Sequence, residues 1–252
     1  MTSEYNISFG PNETESHEDL KRLFRYHLSS HYEYEYGCDS SLRKLEESIL
    51  KELESKELDI NYLKISNNCI DTVRWPVIDI IRLMTNIKTL DLSDNSILDE
   101  EEYYSLSEAF DKLTNLTSIN LSSCRIKYGT EIFENLRNCT GLTHLDLSKN
   151  LIRSGVESLA KAEFKKLKYI DLSFNEIEPE GATSLLEVLR LNKSLTYVHF
   201  NDNKLGPEGV KSLIEVLGEL KVLTFCDLRS NMIQEEEQIS IAEALGQSSV
   251  LV

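Results

Sequence analysis

Residues 142–152 read LTHLDLSKNLI and residues 167–177 read LKYIDLSFNEI, nearly the same letters written twice. Within each copy apolar and polar residues alternate, as in Leu145-Asp146-Leu147, which is the period-two pattern of a strand buried on one face. The template L-x-x-L-x-L-x-x-N-x-L occurs seven times, with its asparagine position at Asn68, Asn95, Cys124, Asn150, Asn175, Asn203 and Asn231. A self-similar period of this size signals stacked repeats.

Between the copies lie GVESLAKAEF (155–164), GATSLLEVLR (181–190) and GVKSLIEVLG (209–218), whose apolar residues recur three and four apart. That spacing predicts helices. A short strand, a turn, a helix and a return loop cannot bury an apolar face alone, so stacked copies place parallel strands on an inner, concave face and helices outside. The asparagine follows from the same geometry. A tight turn after the strand leaves buried backbone N–H and C=O groups that an amide satisfies, and stacked asparagines form a ladder. At Cys124 a thiol takes that place, and Cys124, Cys139 and Cys226 all read as core packing.

These motifs, LDLSDNSI (90–97), LDLSKNLI (145–152), IDLSFNEI (170–177) and the helix openings EPEGATSLLEVL and GPEGVKSLIEVL, resemble leucine-rich repeats of the ribonuclease-inhibitor-like class. That class includes ribonuclease inhibitor, the Ran GTPase-activating protein and the repeat domains of innate immune receptors. The resemblance spans residues 58–252 and implies an α/β right-handed solenoid, a horseshoe with a parallel concave sheet. It implies protein binding and little more, because members share architecture while differing in activity.

The ends divide the rest of the chain. Residues 16–57 read as a helical N-terminal cap, with Ser16 ahead of Leu20, Leu23, Phe24 and Leu28, then Leu42, Leu45, Ile49 and Leu53 in register. HYEYEYG (31–37) reads as an exposed acidic loop, and residues 1–15 have few apolar anchors and read as disordered. At the other end SSVLV stands where another strand would start; a closing strand and a piece of a longer array both fit.

Forty-three acidic against twenty-seven basic residues give a formal charge of -16. Such a charge repels phosphate backbones and anionic lipid and favours neutral or basic partners. No basic-then-apolar leader and no long apolar run stands out. The five cysteines lack paired spacing, which points to a reducing compartment and a cytoplasmic protein, in host cytoplasm if the chain belongs to a pathogen. A monomer is expected. The triplets at Asn12, Asn115, Asn120, Asn138 and Asn192 read as chance matches to a glycosylation signal.

Function is expected on the concave face, where the letters between the leucines point. One inward column holds Tyr62, Thr89, Ser118, His144, Tyr169, Tyr197 and Phe225. The next holds Lys64, Asp91, Asn120, Asp146, Asp171, His199 and Asp227. The third holds Ser66, Ser93, Ser122, Ser148, Ser173, Asn201 and Arg229. The D-L-S spelling serves the scaffold, a ligand, or both. In the last repeats Tyr169, Phe174, Tyr197, His199, Phe225 and Arg229 replace small polar residues, and such side chains dominate binding hot spots. Together with Asp146, Asp171 and Asp227 they are the predicted partner-binding set, selecting a protein with basic residues. An acidic rim, Asp99 to Glu102, Glu178, Glu180, Glu208 and Glu235 to Glu237, fits helix N-termini or a basic partner.

No phosphate loop, zinc motif or nucleophile elbow appears, so no enzyme, cofactor or metal is expected. His144 and His199 stand two repeats apart, roughly 9–10 Å by strand spacing. The alternative reading, activation of a small GTPase of the Ran type, rests on Arg74 beside Trp75 in IDTVRWPVID, whose surroundings depart from that family's pattern.

Overall fold

The computed structural model describes residues 6–8, 61–66, 78, 81, 82, 84–95, 100–127, 129–235, 238, 239 and 249–251. The predicted cap at 16–57, the HYEYEYG loop and Arg74 lie outside these residues.

The repeats form one sheet whose strands follow chain order. Strand β2 (Tyr62–Ser66) is followed by β3 (Thr89–Asp91), β4 (Ser118–Asn120), β5 (His144–Asp146), β6 (Tyr169–Asp171), β7 (Tyr197–His199) and β8 (Phe225–Asp227). All pair in parallel, and the register sets Tyr62, Thr89, Ser118, His144, Tyr169, Tyr197 and Phe225 opposite one another. The columns read from the sequence are thus the columns of the sheet.

Two strands extend this series. Of the segment expected to be disordered (1–15), residues Asn6–Ser8 are described and form β1, antiparallel to β2. The SSVLV run supplies β9 (Ser249–Leu251), parallel to β8. Unpaired strand edges invite association, and β1 covers the outer edge of β2.

Alternation sorts the two faces. Leu63, Leu90, Ile119, Leu145, Ile170, Val198 and Cys226 are all at most 1% exposed, as are Ile65, Leu92, Leu121, Leu147, Leu172, Phe200 and Leu228 two residues further on. They meet the apolar stripes of the helices α1 (Glu100–Lys112), α2 (Thr130–Leu136), α3 (Val156–Lys161), α4 (Pro179–Leu191) and α5 (Gly206–Leu217) in one continuous core. Helix α3 ends at Lys161, earlier than the apolar spacing predicts, and Glu163 adopts a left-handed φ of 51°. This repeat is the shortest of the series, and the chain must turn back sooner to reach β6.

Each turn after β3 to β8 places a residue in the left-handed region, φ 55–58° at Asp94, Ser123, Lys149, Phe174, Asp202 and Ser230, immediately before the ladder position. The ladder side chain then closes the turn. Asn203 donates to the Leu172 and Phe200 carbonyls (2.9 and 3.0 Å) and accepts from the N–H groups of Asn175 and Ile177 (3.0 Å each). Asn150 does the same two repeats earlier, accepting from Cys124 and Ile126. Each amide therefore binds two repeats together. Cys124 donates its thiol to the Leu92 carbonyl at 3.1 Å, and burial pushes that thiol up to about 12. Burial does the same to Cys139 and Cys226, so these three are packed, unreactive thiols.

A second buried amide stands where the helices return. Asn192 is fully buried, donating to Phe164 and Val188 carbonyls (2.7 Å each) and accepting from Leu167 N–H (2.8 Å). Its amide is fully engaged and closed to a glycan.

Helices α4 and α5 both open with proline in the first turn, where its missing N–H costs nothing and its φ suits the helix. Gly181 is required by close approach: a Cβ there would meet Ile177 Cγ2 at 2.6 Å and Val156 Cγ1 at 2.9 Å.

Two outcomes follow for stability, both read from denaturant midpoints. Asn203→Ala leaves the Asn175 and Ile177 N–H groups and the Leu172 carbonyl without this partner, while the Phe200 carbonyl keeps Asn231; it should destabilise by about 2–4 kcal/mol, while Asn201→Ala, on the open face, should cost under about 1 kcal/mol. Gly181→Ala should cost about 1–3 kcal/mol through overpacking. Gly141→Ala, whose Cβ would sit 3.5 Å from the Leu116 carbonyl, should be near neutral.

Candidate interaction surface

The sheet face turned away from the helices carries the polar and aromatic columns. On its later strands the rings make a continuous run. His144 stacks on Tyr169 with centroids 6.1 Å apart and planes at 18°. Tyr169 then meets Tyr197 at 6.5 Å and His199 at 5.5 Å, and Phe225 meets Tyr197 at 6.3 Å and His199 at 4.9 Å. Parallel strands place equivalent side chains about 4.8 Å apart, which brings rings in adjacent copies into contact. Tyr197 is 47% exposed.

Beneath the rings runs the carboxylate column. Asp146 Oδ1 accepts from the Ser148 N–H (3.0 Å) and hydroxyl (2.8 Å). Asp171 repeats the arrangement with Ser173 at 2.9 and 2.6 Å, and Asp91 with Ser93. The D-L-S spelling is therefore a local turn in which an aspartate ties down the chain two residues ahead. That structural duty uses one carboxylate oxygen.

The column's charges are unequally balanced. Lys64 reaches Asp91 at 2.6 Å. Burial alone would raise the Asp91 carboxyl, but hydrogen bonds from Lys64 and Ser93 outweigh it and hold the group below its usual range. At the other end Arg229 grips Asp227 with Nε on Oδ1 at 3.0 Å and Nη2 on Oδ2 at 2.6 Å. Between them Asp146 and Asp171 face no cation of the chain among the described residues. Burial raises the Asp146 carboxyl, and the neighbouring charges of Asp171 and Asp91 add to the effect. Burial also raises the Tyr169 phenol, helped by Asp171 and Asp146; its hydroxyl lies 3.3 Å from Asp171 Oδ2.

The predicted binding set is thus only partly gathered. Tyr169, Tyr197, His199, Phe225, Asp146 and Asp171 form one patch. Asp227 is 3% exposed with both oxygens taken by Arg229, so this pair is a closed unit rather than two free contacts. Phe174 stands apart, at the left-handed corner beside Lys149 and Arg125, where it lines a depression of about 390 Å³ with Leu151, Glu176 and Asp202. Sequence alternation cannot place a residue beyond the strand's last inward position; the signal was a bulky letter where other copies carry Asp, Ser or Lys.

Among the described residues no three His, Cys, Asp or Glu side chains converge as metal ligands, and Tyr169 stands between His144 and His199. No described helix is long and apolar enough to cross a membrane.

Comparison with known proteins bears on the repeats. A family described as Leucine Rich repeat matches residues 84–100, 165–186 and 191–213, and a second, Leucine Rich Repeat, matches residues 115–139. No curated protein matches the chain. Among solved structures it is similar to internalin C2 of Listeria monocytogenes, at 22% identity and a TM-score of 0.48, covering 77% of this chain and 79% of that one. The stretches that build the ladder at 84–100, 115–139, 165–186 and 191–213 are leucine-rich repeats.

Proposed function

We propose that the chain is a non-catalytic interaction scaffold of the cytoplasm, a right-handed solenoid of the ribonuclease-inhibitor-like class with a helical N-terminal cap. It acts as a monomer and takes a partner protein with a basic surface on the concave sheet face. Its partner-binding residues are Tyr169, Tyr197, His199, Phe225, Asp146 and Asp171.

The observation that carries this reading is the run of rings from His144 to Phe225. Aromatic side chains held against one another lose little further freedom on binding and bury much area, which is what an interface hot spot needs. A repeat that only had to stack would be served by the Thr89 and Ser118 of the earlier copies at the same column. The net charge of -16 steers basic partners and speeds encounter at low salt.

Affinity purification from the native cell tests the proposal. The triple variant Tyr169→Ala, Tyr197→Ala, Phe225→Ala should lose the partner captured by the parent chain, with affinity down about a hundredfold or more at truncation costs of ~2 kcal/mol per hot-spot residue. Lys161→Ala with Glu187→Ala, on the helix side, should retain it. Capture should also weaken as salt rises from 50 to 500 mM. Undiminished capture by the aromatic variant contradicts the proposal.

A further inference from the structure

Repeat symmetry shows what the sheet face is built to receive. Phe225 and Asp227 lie on β8 with Arg229 two residues past the aspartate, and Tyr169 and Asp171 lie at the same register of β6 with Ser173 two residues past it. In the first trio the aspartate is covered by a guanidinium that spans both its oxygens. In the second the arginine is replaced by a serine, and the outer oxygen of Asp171 is left to the Tyr169 hydroxyl at 3.3 Å. Copy β5 is alike, with Ser148 in the arginine position.

The carboxylate charge at these two positions is not a requirement of the turn. Asn120 holds the same place in β4, and its Oδ1 accepts from the Ser122 N–H at 2.9 Å without a charge. Two aspartates side by side repel, and burial adds to the cost of ionising Asp146. A side chain that destabilises the fold where a neutral one would serve is a mark of a binding site. The two flanking carboxylates are already covered by the chain's own Lys64 and Arg229, so the unbalanced charge is confined to the stretch under the rings.

We propose that the sheet face from His144 to Phe225 docks an arginine-bearing segment of a partner protein, with one guanidinium seated on Asp171 as Arg229 is seated on Asp227, beside the Tyr169 ring, and a second basic side chain on Asp146. This rests on the scaffold reading above and names its partner's chemistry. Guanidinium is favoured over ammonium because a planar fork spans two carboxylate oxygens and stacks on aromatic faces.

The chain itself supplies the sharpest variant. Ser173→Arg places an arginine two residues after Asp171, the spacing that lets Arg229 fold back on Asp227, and fills the seat from within. Binding of a nona-arginine peptide to the full chain, followed by calorimetry, should fall at least tenfold in Ser173→Arg and in the Asp146→Asn, Asp171→Asn double variant. It should change less than twofold in Glu157→Gln with Glu187→Gln on the helix side. Asp146→Asn alone should keep or raise the thermal midpoint, since the amide preserves the bond to Ser148 and removes a repelled charge. Nona-lysine should bind more weakly than nona-arginine. Equal losses in all acidic variants, unchanged binding by Ser173→Arg, or equal affinity for the two peptides would overturn the proposal. If the aromatic triple variant loses its cellular partner while Ser173→Arg keeps it, the scaffold reading survives and the arginine seat does not.

Discussion

Each buried ladder amide serves two turns at once, and among the described copies only the one with Cys124 lacks it. The Asn203 side chain donates into its own turn and the strand behind it while accepting from the backbone of the preceding copy. Turns are costly places to bury because their N–H and C=O groups point at no strand partner. The amide satisfies two of these N–H groups and two of these carbonyls, which holds the turn closed and ties each copy to its neighbour in register. The stacked leucines supply most of the driving force for burial, but they do not by themselves choose between registers.

Register is what gives the open face its content. Because each strand is offset by whole repeats, a residue type written at one letter of the template reappears as a column on the sheet. Rings written at adjacent copies stack, and carboxylates written at adjacent copies crowd. A solenoid can thus place an aromatic run and a line of charge on its surface with no loop to order. The chain balances that line at both ends with Lys64 and Arg229 and leaves it unbalanced under the rings.

Much of this was legible in the letters. The template positions gave the ladder, the alternation gave the two faces, and the column membership of His144, Tyr169, Tyr197 and Phe225 followed from a period of two. Those features repeat, so each copy reinforces the reading of the others. What was hidden does not repeat. Arg229 folds back on Asp227 because a long side chain at the strand's end can reach its neighbour two residues behind, and that depends on one letter in one copy. Phe174 left the predicted patch because the strand has already turned into the left-handed corner there. Asn192 matched a glycosylation triplet and is instead a buried cap for the returning chain. The β1 pairing had no signal in the template, since an antiparallel edge strand belongs to no repeat.

Site-resolved amide exchange under native conditions tests the ladder most directly. The N–H groups of Ile126 and Ile177 lie outside any strand, and each is bonded to a ladder side chain, Asn150 or Asn203. On this account they exchange as slowly as the core strand amides, opening only when the fold opens. Exchange as fast as that of exposed turns would mean that the asparagines do not hold the repeats in register.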